Sequence, residues 1–159
     1  MNERRLGSLL SLVRQGVTLG LDFGAHSLET MVAIAETVED SVYEAGSLVV
    51  RPGSIGFALA NPPLRTGAFS AIRVLLNGAP VPGARTRLRP GAGSPWRTAD
   101  SLSTSAPWAL RPGDRTEFEL DVNTVATDRP LTVRLEFECI AIPPLVWIEF
   151  TETPAGEAL

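Results

Sequence analysis

Between Arg115 and Cys139 the chain twice alternates apolar and polar residues with a period of two. Phe118, Leu120 and Val122 interleave with Glu117, Glu119 and Asp121, and Leu131, Val133, Leu135, Phe137 and Cys139 interleave with Thr132, Arg134, Glu136 and Glu138. That period belongs to a strand with one buried face, because successive side chains of an extended chain point to opposite sides. The same reading extends upstream to Gly46. Short apolar runs at 47–51, 54–60, 68–76, 79–82, 85–89 and 107–111 are separated by Pro and Gly punctuation, and a last run covers 144–151. Asn77-Gly78 is the strongest hairpin signal, since both residues accept the positive φ of a type I′ turn. Turn signals at this spacing predict an antiparallel β-sandwich of immunoglobulin-like or fibronectin-like type over residues 47–152, with a jelly roll or small barrel as the alternative. Residues 153–159 read as a flexible C-terminal tail.

The first forty-six residues read differently. Leu6, Leu10, Val13, Val17, Gly20, Gly24, Leu28, Met31, Ala35, Val38 and Val42 recur at steps of three and four, the spacing of one helical stripe. Residues 1–46 are therefore expected to form a helical assembly segment, as one helix or two. Ser27 would cap its second half, and Gly46 would end it. The expected fold class is thus α+β, a helical segment followed by the sandwich. Within the stripe Gly16, Gly20 and Gly24 lie four apart, and each glycine costs a helix about 1 kcal/mol relative to alanine. Close approach of a second element would compensate for that cost; a frayed N-terminal helix is the plainer reading. Arg14, Asp22 and His26 interrupt the run well short of the roughly 18 to 20 apolar residues that span a membrane. Membrane contact is expected only at the interface, and a cytoplasmic location follows from the lack of a convincing signal-peptide cleavage site.

Composition narrows the functional classes. A hydrophobic content of 44% in 159 residues argues against disorder. Residues 1–46 carry three arginines against seven acids, and residues 47–159 eleven against eleven, for a net charge of −4. With no basic footprint, nucleic-acid binding is not expected. Every basic residue is arginine, which excludes lysine-based covalent chemistry. One histidine, His26, and one cysteine, Cys139, leave no metal cluster or intrachain disulfide to expect, and no cofactor. Cys139 shares the phase of its strand's core residues and reads as an inert thiol. Arg85, Arg87 and Arg89 form the only basic stripe and are expected to pair across strands with the acids of 117–121. The same acids read as a solvated sheet face rather than a calcium site or glycosidase pair.

Without linked catalytic groups, the expectation is a noncatalytic structural or adaptor subunit, a homo-oligomer or part of a larger complex. It would assemble through Leu10, Val13, Gly16, Val17, Gly20, Gly24, Met31, Ala35 and Val38. A second expectation is a binding module for a lipid-like or carbohydrate ligand. Its docking or ligand face would use Gly56, Ala58, Leu75, Trp96, Leu145 and Trp147, small or apolar residues on outward strand phases where a solvated sheet would be polar. Coverage of that face by the helical stripe or by a partner subunit is the expected reason; scattered surface apolar groups are the bland one.

Overall fold

The computed structural model describes residues 17–22, 43–61, 66–123, 125, 127–140 and 145–156; at 17–22, 66, 145, 146, 155 and 156 the description is of the backbone. The strands are β1 (Val17–Asp22), β2 (Val49–Arg51), β3 (Ser54–Ala60), β4 (Thr66–Leu76), β5 (Ala79–Val81) and β6 (Thr86–Pro90), then β7 (Arg97–Thr98), β8 (Trp108–Leu110), β9 (Arg115–Asp121), β10 (Leu131–Cys139), β11 (Leu145–Glu152) and β12 (Ala155–Gly156). They make two sheets. The first runs β1-β11-β10-β4-β5, with β8 also on β4, and the second runs β12-β2-β3-β9-β6-β7. All pairs are antiparallel except β2 with β12, which places residues of the expected tail in the second sheet.

The predicted strand alternation is what closes the core. Ile55, Phe57, Leu59, Leu88, Phe118 and Leu120 from the second sheet form one buried cluster with Phe69, Ile72, Val74, Val133, Leu135, Phe137, Ile148 and Phe150 from the first. Phe57 stacks on Phe118 at 5.0 Å within its sheet and meets Phe150 edge-on at 5.5 Å across the gap. Two sheets whose inner faces share one core make a sandwich. Fully burying each such side chain contributes about 1.5–3 kcal/mol. The Asn77-Gly78 turn joins β4 to β5 with φ of 50° and 82°, the geometry its dipeptide demands.

The expected helical segment is not what the described residues show. Val17–Asp22 is a strand, paired antiparallel to β11 with Val17 opposite Phe150, Leu19 opposite Ile148 and Leu21 opposite Val146. At the other end Tyr43 makes a β-bridge with Leu59, and 45–46 is a turn rather than the last turn of a helix. Among the described residues the helices are two short 3₁₀ turns, at Gly83–Arg85 and Ala99–Ser101. Over the described residues the fold class is therefore nearly all β, not α+β. The physical reason is visible in the segment itself. Val17, Leu19 and Leu21 alternate with Thr18, Gly20 and Asp22, a period of two that β-branched residues favour and glycine at 20 does not support as helix. The remaining helical expectation, at 3–16 and 23–42, lies outside the described residues.

Where the chain enters the sandwich, Tyr43 ties both sheets. Its ring stacks on Phe150 of the first sheet with centroids 3.6 Å apart, and its hydroxyl donates to Glu152 at the end of β11. The same hydroxyl accepts from the Leu48 N–H at 3.2 Å, just before β2 of the second sheet, and the Gly46 N–H donates to Glu152 at 3.0 Å. The Tyr43 hydroxyl thus satisfies the buried Leu48 N–H, which would otherwise be unpaired.

Candidate functional site

The outer face of the second sheet is built by register. Arg87 on β6 stands opposite Glu119 on β9, Arg89 opposite Glu117, and Glu119 and Glu117 stand in turn opposite Gly56 and Ala58 on β3. Both arginines bind the acid they face, as the cross-strand reading expected, and Arg87 also lies 3.5 Å from Asp121. Arg85 falls in the preceding 3₁₀ turn instead. Arg115 bridges Glu44 and Glu117, at 2.7 Å to each. The hydrogen bond to Glu44 is the main cause that holds its guanidinium above the ordinary value.

The 44–51 segment explains the small residues. Ala58 is 1% exposed although it shares the outward phase of Glu117. The Glu44 N–H donates to the Ala58 carbonyl and the Ala58 N–H donates to the Ser47 hydroxyl, both at 3.0 Å, so the 44–47 segment lies against it. A Cβ on Gly56 would sit 3.4 Å from Arg51 Nη1, so that guanidinium lies over the glycine. Arginine stems cover apolar surface while their heads stay wet. The chain's own 44–51 segment thus covers this part of the sheet.

Beside Gly56 the face sinks into a depression of about 510 Å³, bordered by Ser47, Arg51, Ser54, Arg89, Trp96, Arg115, Glu117 and Glu119. Trp96 comes from the loop between β6 and β7 and is half-buried. The Arg89 guanidinium lies over its ring at 4.4 Å and that of Arg87 at 5.7 Å. Each guanidinium is itself held by a carboxylate, so the indole rests on fixed cations rather than on mobile side chains.

The other residues expected on the same face are elsewhere. Leu75 and Trp147 are half-buried on the first sheet, Leu75 opposite Arg134 and Trp147 opposite Glu136. Arg134 lies over the Trp147 ring at 4.2 Å, so a side chain of this protein covers that tryptophan too. Leu145 enters as the β11 residue opposite Asp22 and Glu138. Of the expected assembly residues, Val17 and Gly20 belong to β1 as strand, not as a helical stripe. Leu10, Val13, Gly16, Gly24, Met31, Ala35 and Val38 lie outside the described residues, as does His26. Cys139 is half-buried at the end of β10, and burial first, with the Glu138 charge second, pushes its thiol up to about 11.

Arg51, Ser47 and Ser54 were not singled out from sequence; each sits in a short strand or turn whose outward side is set only by the pairing of β2 with β3. Among the described residues no group of three His, Cys, Asp or Glu side chains is placed to hold a metal ion. No helix of the described residues is long and apolar enough to cross a membrane. No family model and no curated protein matches the chain in sequence. Function therefore has to be read from the geometry.

Proposed function

We propose that this chain is a noncatalytic recognition module, an adaptor whose β-sandwich binds a neutral, carbohydrate-class ligand on the outer face of its second sheet. The observation that carries the reading is Trp96, half-buried and resting on two anchored guanidinium groups at the border of a polar depression. A sugar ring offers an apolar face to an indole and hydroxyls, both donors and acceptors, at its edge. The depression supplies both kinds of partner, arginine N–H groups and carboxylate oxygens, side by side.

Charge favours a neutral ligand over an ionic one. Arg51, Arg87, Arg89 and Arg115 are balanced on this face by Glu44, Glu117, Glu119 and Asp121. An anion would have to compete with carboxylates already in place, and a cation with arginines. A lipid-like ligand fits less well, because the depression is bordered mainly by polar side chains.

The test is calorimetric titration with a panel of neutral oligosaccharides, on the full chain. Saturable binding that drops about tenfold in Trp96→Ala supports the reading, a loss in keeping with removal of one stacking platform. Gly56→Val is the second variant. It adds bulk on the floor of the depression, where the new Cβ meets only the flexible end of Arg51 closely, and it should reduce binding with little loss of melting temperature. Binding that is unchanged in both variants, or absent for every neutral glycan, overturns it.

A further inference from the structure

The 91–107 loop has a second side. Where β8 joins β4 at the edge of the first sheet, a cavity of about 340 Å³ opens, lined by Ala68, Pro90, Pro95, Arg97, Trp108 and Arg111 among others. Its chemistry is unlike that of the outer face in two respects.

The first is charge of one sign. No acid is among the residues that line it, and among the described residues neither Arg97 nor Arg111 has a carboxylate in ion-pair range. Arg97 donates to the Ala106 carbonyl at 3.1 Å and to that of Pro107 at 3.5 Å, contacts that orient the guanidinium without neutralising it. The second is an orphaned donor. Trp108 is 5% exposed, and its Nε1–H is buried with no acceptor among the described residues, an arrangement that costs stability and is uncommon in folded proteins. Around these donors the walls are apolar, and Pro90, Pro95 and Pro107 bring no backbone N–H of their own.

We propose that this cavity binds a carboxylate carried on a small apolar body. The carboxylate takes the charge of Arg97 and Arg111 and accepts from the Trp108 indole. The apolar part rests on Pro90, Pro95 and Ala68. A guanidinium pairs with a planar carboxylate through two parallel hydrogen bonds, which gives direction as well as charge. The Arg97 guanidinium lies over the Trp108 ring at 5.7 Å, which brings the charge and the indole to one wall of the cavity. The site is separate from the Trp96 face and stands whether or not that face binds a sugar.

The experiment follows the three indole N–H resonances by NMR while benzoate, benzamide or inorganic phosphate is added to the full chain. Trp108→Phe identifies the Trp108 signal. A saturable shift of that signal with benzoate, weakened about tenfold in Arg111→Gln, is expected; Arg111 is exposed, so this variant keeps the fold. No saturable shift with benzoate overturns the proposal. Equal binding of benzamide shows that the carboxylate is not read, and full displacement of benzoate by equimolar phosphate shows that the apolar body is not read; either result also overturns it.

Discussion

Tyr43 shows how much one side chain can carry in a sandwich of this size. It stacks on Phe150, donates to Glu152 and accepts from Leu48. Tyr43→Phe keeps the stacking and leaves the Leu48 N–H and one carboxylate oxygen without their partner. The expected loss is about 1–3 kcal/mol in chemical denaturation; a change below a few tenths would show that the hydroxyl network contributes nothing. Burial, and then the hydrogen bond to Glu152, raises the ionisation of this phenol above its ordinary 10.0. The folded state therefore favours the neutral form. That contribution is complete below about pH 10 and is lost as pH rises further, so the wild type should lose more stability than Tyr43→Phe between pH 10 and 11. Cys139 follows the same sign: its thiol is pushed up from 9.0 to about 11 by burial. Alkylation by iodoacetamide at pH 8 should be much slower in the native protein than in denaturant, and equal rates would contradict the buried placement.

At the scale of elements, β1 is where reading the sequence and seeing the fold diverge. Positions 17, 20 and 24 satisfy a helical stripe, while 17, 19 and 21 satisfy a strand, and a six-residue window cannot separate the two periods. The edge of β11 decides, because it offers β1 a continuous ladder of six residues from Val17 to Asp22. Hydrogen exchange distinguishes the outcomes directly. As an edge strand, β1 should protect alternate amides, those that face β11, and leave the others fast. Consecutive protection from 17 to 22 would restore the helix. The longer strands after Gly46, such as β3, β9 and β10, were legible because each presents one face to the core, whereas the two-residue β7 and β12 were not. The ladder of Arg87 and Arg89 with Glu119 and Glu117 was legible for the same reason, since cross-strand neighbours follow from register. The Tyr43 latch and both depressions were not. They depend on how 43–48 and 91–107 fold back over the sheets, and no periodicity encodes a loop's return path.

Taken whole, the molecule is a sandwich that covers much of its own outer surface. Residues that looked like exposed apolar docking positions are covered by the same chain, Ala58 by Glu44 and Ser47 and Trp147 by Arg134. Two depressions flank the 91–107 segment, with Trp96 facing a polar one on one side and Trp108 a cationic one on the other. Phe118→Ala, at the centre of the second sheet's inner face and 2% exposed, should cost about 3–5 kcal/mol and loosen the outer-face depression, because β9 supplies the acids of the ladder that border it. A ladder left intact by that substitution would mean that the outer face is held independently of the core. The most direct measurement of the central claim is amide and indole NMR mapping of the full chain as a neutral oligosaccharide that binds in calorimetry is added. Shifts are expected at the Trp96 indole and at Ser54, Gly56, Glu117 and Glu119; shifts confined to other surfaces, with Trp96 unmoved, would contradict it.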